Sequence, residues 1–429
     1  MSSNNKKALT SSWAIAFTVA SVWFGTHVGG GFATGNQVIG YFAQYGQITS
    51  LIFPLLAMGL LAIVMHIWLK FARLNGFDNY KDTVSALYPS PKFEFLFEIF
   101  YIVIILAAVA AAVAGAGEVL ANFLGVPYVG ATKVLFNLIV VALLVVLSIF
   151  GVKLVAAAST VLSVAIMIIS GLMILFGLLK ANMINDLFQQ FAVDPASYTT
   201  GSAVLANAFA EDGAKVATVY SSWPLNSMWR GILVYAAFQC VSIPPMIAAA
   251  KDMTHKGTTR ACILGWLMNG LALGLSGFTL AKWYPLLMGL QKAEVDGFLN
   301  ATGIPNQTML TLMGIKWLLY IFSILLFCAF VSTCVTLVFT MVQRFSPKLV
   351  KVDDAGNHVR GIKNETVRRV IVAIVAIAVC FAISLLGLTN ITKILYGYDG
   401  YYALIVVVLP AFIWGIPKIK KLEAESKTA

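Results

Sequence analysis

Seven residues near the start of the chain, Gly25-Thr26-His27-Val28-Gly29-Gly30-Gly31, hold four glycines and a histidine. They fall inside the first long apolar run, Val22–Phe42 reading VWFGTHVGGGFATGNQVIGYF. Glycine disfavours helix by roughly 1 kcal/mol relative to alanine, so the run is expected to be interrupted there. An interruption at membrane depth is tolerated only where it is buried or lines a cavity. It leaves carbonyl oxygens for a cation and amides for an anion. A half-helix starting near Gly30 points its positive end at the gap, and glycines let a ligand approach the backbone. Gly29, Gly30 and Gly31 are therefore expected to meet a small substrate, through its carboxylate if it has one. His27 either binds that substrate, accepts a proton, or bonds the loosened backbone. A second interruption is expected in Tyr235–Ala250, YAAFQCVSIPPMIAAA. Pro244 and Pro245 remove two amide donors and crowd the preceding turn. Phe238 just before them can cap a substrate or fill the core, and Gln239 can hydrogen-bond the substrate.

The elements that must position these groups are membrane helices. The 429 residues are 60% hydrophobic and 11% charged, against about 25% charged in a soluble domain. A helix needs about 20 apolar residues to cross the hydrocarbon. Ten such segments are read, numbered here in chain order: 12–43, 49–72, 94–124, 130–149, 153–179, 228–250, 258–281, 309–342, 368–389 and 391–416. Met1–Thr10 is polar and the first apolar run is too long for a cleavable signal. With the first residue placed in the cytoplasm, 21 of the 29 lysines and arginines fall on the cytoplasmic side, so both termini are expected there. The net charge of +11 then reports topology rather than nucleic-acid binding. The expectation is an all-α polytopic protein of one transporter domain, 1–429. Segments 12–180 form a first set of five, 181–227 an outer loop, and 228–416 a second set. An odd number per set inverts the second set in the membrane, with segments one and six broken at matching positions, a pattern common in secondary transporters. The connection Lys282–Met309 is expected to be a packed lid.

At these residues the chain resembles the amino acid–polyamine–organocation superfamily, whose fold is that of the leucine transporter. Its first-span pattern is similar to G-x-x-(V/I)-G-x-G, here Gly25 to Gly31. More narrowly, GGGFATGNQVIGYF is similar to the GAGFATG region of bacterial YkvI-type membrane proteins. The resemblance implies a bacterial plasma-membrane carrier. It also implies a sodium site built from Gly25 and Val28 in span one with Ala329, Ser332 and Thr333 in span eight. Five oxygens suit a hard cation, although Ser and Thr in membrane helices also serve as helix–helix glue. Two departures matter. Phe32 stands where carriers with a second sodium have Asn, and 154–179 holds no Lys, Arg or His to imitate the ion.

Other ionisable residues at membrane depth are costly and often functional. Glu118 is read as a gating or proton-handling group, or as a headgroup-level carboxylate. Asp399, in YGYDGYY, is read as near an outer gate. Glu98 reads as interfacial and Asn269 as a helix–helix hydrogen bond. The alanine-rich stretch of span three implies a roomier cavity or closer packing. Cys240, Cys262, Cys328, Cys334 and Cys380 all lie in apolar segments and read as small fillers. No H-E-x-x-H, G-x-S-x-G or G-x-x-x-x-G-K-(S/T) motif is present, so no enzyme, ATP-driven pump or cofactor is expected. The reading is a sodium-coupled symporter of a small solute such as an amino acid. The alternatives are a proton-coupled or uncoupled carrier using His27 or Glu118, and a non-transporting membrane sensor. Substrate and oligomeric state are left open.

Overall fold

A computed structural model of the chain describes residues 12–27, 30–150, 152–193, 229–352 and 358–428. The protein is a mostly helical, multi-pass membrane protein. Among the described residues, eight helices are long and apolar enough to cross a membrane. There are nine if Val164–Leu179 and Met183–Gln190, bent by 78°, count as one.

In span one the structure describes the helices Trp13–His27, Gly30–Thr34 and Asn36–Tyr41. Val28 and Gly29, where the break was expected, lie outside the described residues. Between the last two helices Gly35 adopts φ 82°, a conformation glycine enters without a Cβ penalty.

Span six differs from the expected unwinding. The chain tightens and loosens without leaving the helical path. It runs as a π-helical turn Trp229–Val234, an α-turn Tyr235–Phe238, a 3-10 turn Gln239–Ser242 and an α-helix Ile243–Ala249. Pro244 and Pro245 open the last helix, where a missing amide removes no intrahelical bond. The prolines thus end one stretch of span six and start the next.

Span seven is longer than expected. The helix His255–Lys292 runs through Pro285 and absorbs YPLLMGL, because neighbouring helices compensate for proline in membrane proteins. The connection is therefore shorter, 293–304 followed by the helix Pro305–Leu312. Span eight correspondingly starts at Lys316 and ends at Phe345. Two further elements were not expected, the helix Tyr80–Leu87 and the hairpin Val350–Val352 with His358–Gly361.

Small residues set the tightest packing, that of span seven on span two, Gln47–Asn75. A Cβ on Gly277 would fall 2.7 Å from the Ser50 carbonyl, and one on Gly274 3.0 Å from that of Leu51. Such stripes let two backbones approach where no hydrophobic drive exists between helices. Trp266 Nε1 donates to the Leu55 carbonyl at 2.9 Å and fixes the register. Span one packs on span seven through Trp23, whose ring occupies the space a side chain at Gly265 would take.

Candidate functional site

The two irregular spans meet around a cavity of about 70 Å³. His27, Gly31, Phe238, Gln239 and Thr333, all expected from the sequence, line it together. Gln37, Thr26 and Tyr396 line it as well. Its apolar wall includes Ala108, Ala111 and Ala112 of span three. The lining side chains carry no Asp, Glu, Lys or Arg.

His27 is held on both sides. Its Nδ1 lies 2.6 Å from Asn269 Oδ1 and its Nε2 2.9 Å from the Tyr235 hydroxyl. Asn269 Nδ2 donates to the Gly265 carbonyl at 2.8 Å, which leaves Oδ1 as the acceptor and makes Nδ1 of His27 the donor. Nε2 then accepts from Tyr235 in the neutral ring or donates to it in the cation. Gln37 Oε1 and Gln239 Nε2 each lie 3.4 Å from the same hydroxyl. The chain Asn269–His27–Tyr235 thus ends at two cavity-lining amides, one from each irregular span. Thr26 Oγ1 lies 3.2 Å from Ser242 Oγ and joins the two spans a second time.

Gly31 has a specific reason to lack a side chain. A Cβ there would fall 2.2 Å from Gln37 Nε2. Phe238 is fully buried and packs edge-on against Tyr235 and Tyr396, at 4.9 and 5.2 Å between ring centres. It serves as both core aromatic and cavity wall. In span three, a Cβ on Gly115 would fall 2.2 Å from the Phe330 ring. That stretch therefore gives closer packing as well as a small-residue wall.

The proposed sodium ligands are placed less completely. Gly25 is half-buried within Trp13–His27, and Val28 lies outside the described residues. Gly29 does too, and Gly30 opens the helix Gly30–Thr34. Ala329 and Ser332 are buried, while Thr333 reaches the cavity. Their helix packs against Gly30–Thr34. Among the described residues, no three His, Cys, Asp or Glu side chains converge as a metal cluster.

The segment 293–312, where a lid was expected, is bonded to spans one and three. Asn36 binds it to spans one and ten. Asn36 Nδ2 lies 3.1 Å from the carbonyls of Thr302 and Gly303 and 2.9 Å from Thr389 Oγ1. Its Oδ1 accepts from Thr392 Oγ1 at 2.6 Å. Asn306 Nδ2 donates to the Ala33 carbonyl at 2.9 Å. Glu118 is buried in span three and accepts from Asn300 Nδ2 at 2.5 Å. It is not on the cavity wall, and it holds the segment 293–312 through Asn300. Glu98 pairs with Arg344 near the other end of the same helix.

Sequence reasoning missed Thr26, Gln37, Tyr235 and Tyr396. Thr26 sits inside the glycine cluster and Gln37 six residues beyond Gly31, so proximity to the gap was their one signal.

No protein-family model matches the chain, and no curated protein matches it in sequence. Among solved structures it is similar to a manganese transporter of Eremococcus coleocola in complex with an aromatic bis-isothiourea compound. Identity is 16%, over 96% of this chain and 82% of that one, with a TM-score of 0.51. A Na+-coupled sialic acid symporter in a substrate-bound outward-open state is similar at 12% identity, 94% and 86% coverage and TM-score 0.49. MhsT in complex with L-phenylalanine is similar at 13% identity, 95% and 88% coverage and TM-score 0.49. The chain has the fold of the leucine-transporter class of membrane carriers.

Proposed function

We propose that this protein is a secondary active transporter, a sodium-coupled symporter of a small neutral or zwitterionic solute such as an amino acid. The observation that carries the reading is the cavity between spans one and six, lined by polar groups from both and by no charged side chain. A solute entering it would meet the Gln37 and Gln239 amides, Thr26 and Thr333, with Phe238 and Tyr396 as an apolar wall. A carboxylate on the solute would face the start of Gly30–Thr34, where amide donors lack intrahelical partners. Sodium would be held by carbonyls of Gly25 and Val28 with the Ala329 carbonyl and the Ser332 and Thr333 hydroxyls. It would tie span eight to span one beside the solute. The two five-span sets, 12–180 and 228–416, would move as inverted repeats about this point, in a bacterial plasma membrane with both termini inside. The narrower similarity to YkvI-type proteins rests on Gly29–Phe42 alone.

The test is sodium-driven uptake into vesicles by Ser332→Ala with Thr333→Ala. Uptake should lose its sodium dependence while the protein still inserts and folds. Uptake that remains sodium-driven removes those hydroxyls from the site.

The second reading is a proton-coupled carrier. It is favoured by the His27 contacts, since Tyr235 can exchange donor and acceptor roles with the ring, and by the buried carboxylate of Glu118. In that case His27→Gln or Glu118→Gln should flatten the pH profile of uptake under sodium-free conditions. An unchanged profile in both variants excludes this pair as the proton carriers.

A further inference from the structure

Asp399, in the helix Tyr396–Ala403 of span ten, is not among the residues that line the cavity. It is 3% exposed, and neither carboxylate oxygen has a hydrogen-bond partner among the described residues. Its place along span ten follows from two anchored points. Thr392 is tied to Asn36, and Lys418 donates to the carbonyls of Ala86 and Tyr88 at the opposite end. Asp399 is seven residues past Thr392, about 10 Å along the span at 1.5 Å per residue.

The backbone around Asp399 is irregular. Its helix, Tyr396–Ala403, is bracketed by π-helical turns at Ile391–Leu395 and Leu404–Val408, features that recur at functional sites. The helix lies hard against the π-turn of span six. A Cβ on Gly400 would fall 2.7 Å from the Val234 carbonyl. Any tilt of span six relative to span ten must therefore alter the surroundings of Asp399.

Charged groups on the elements packed against this helix are engaged elsewhere. Arg230 lies over the Tyr41 ring at 5.7 Å. Lys393 is exposed. On span three, Glu94 is bonded to Ser85, Glu98 to Arg344 and Glu118 to Asn300. Of the weaker acids, Tyr235 is bonded to His27, and the Cys240 thiol points to the Ala236 carbonyl at 3.6 Å. Tyr101 of span three is also buried. In the same helix, the Tyr402 hydroxyl donates to the Leu96 carbonyl, and Tyr396 lies 5.2 Å from the Phe238 ring.

A carboxylate with no cation and no donor cannot keep its charge in such a place at acceptable cost; it takes a proton or a metal ion. A sodium ion would need several further oxygens beside the carboxylate. A proton needs only the one carboxyl.

We propose that Asp399 is a proton-binding site, neutral in this conformation, which exchanges its proton with water when span ten and span six part. The bookkeeping is one O–H bond: one proton leaves the carboxyl to water on one side and one returns from water on the other. The site rests on the carrier reading for its role, since it would add a proton to the transported set. Its occupancy is independent of that reading.

The experiment is infrared spectroscopy of the purified protein in lipid nanodiscs at neutral pH, in light and heavy water, with no solute added. A protonated-carboxyl C=O band sensitive to deuterium exchange is expected. It should disappear in Asp399→Asn, move in Asp399→Glu, and persist in Glu118→Gln. Replacing sodium by choline should leave it unchanged. Absence of the band in the wild type, its survival in Asp399→Asn, or its appearance only when sodium is removed overturns the proposal. Failure of the carrier reading would instead appear as an absence of solute binding with this band intact. If both hold, a one-unit pH gradient should change solute accumulation about tenfold per proton, and Asp399→Asn should abolish that change.

Discussion

Gly31→Leu is expected to abolish solute binding while leaving the protein folded. The argument is steric. Gly31 lines a cavity of about 70 Å³, and even its Cβ would lie 2.2 Å from the Gln37 amide. A leucine must displace Gln37, one of the two amides offered to a solute, and then fill the space left for that solute. Overpacking of this kind costs about 1–3 kcal/mol in a core, which a large membrane domain can absorb. Affinity should fall by at least about a hundredfold, equivalent to roughly 2.7 kcal/mol. Gly40→Ala is the control, because a Cβ at that buried helix position meets nothing within 4 Å. Binding measured by calorimetry should be normal in the control and undetectable in Gly31→Leu. Normal affinity in Gly31→Leu would place the solute elsewhere.

Asn36→Leu is expected to loosen the lid. The asparagine joins span one to Thr302 and Gly303 of the lid, to Thr389 and to Thr392 of span ten. Leucine keeps the bulk and removes every bond. Buried carbonyls left without a donor cost about 1–3 kcal/mol. A shift of about 2 kcal/mol changes an opening equilibrium roughly thirtyfold. Hydrogen exchange of the peptide 297–312 reads this directly, since exchange reports local opening. Its protection should drop by that factor while protection of Gln47–Asn75 stays constant. Equal protection of the lid in both proteins would mean that Asn36 is structural only.

Much of the architecture was legible in the sequence because membrane helices are written in length and composition. Spans two, three and four appear close to where apolar length places them. Span seven does not, because proline is a poor stop signal inside a bundle and Pro285 sits within a continuous helix. The break expected in the glycine cluster falls at Val28 and Gly29, outside the described residues, while the described interruption of span one is at Gly35. The double proline pointed to the right place in span six but the wrong conformation, since a 3-10 turn serves where unwinding was expected. In the site, His27, Gly31, Phe238, Gln239 and Thr333 were named from sequence and converge on one cavity. Tyr235, Gln37 and Tyr396 were not named. A tyrosine or glutamine in an apolar segment reads the same whether it faces a cavity or a neighbouring helix, and the distinction exists only in three dimensions. Glu118 was recognised as unusual, but its partner, Asn300, lies 182 residues away.

The central claim is that the cavity between spans one and six binds a small solute together with sodium. Ligand-induced thermal stabilisation of the purified protein tests it most directly, with sodium against potassium or choline across a panel of amino acids and nucleobases. Any ligand that binds the folded state in preference to the unfolded one raises the melting temperature by mass action. The expected result is a sodium-specific rise that grows with one solute class, loses its solute component in Gly31→Leu, and loses its sodium component in Ser332→Ala with Thr333→Ala. No stabilisation by any pair, or a sodium effect that survives both variants, would contradict the account.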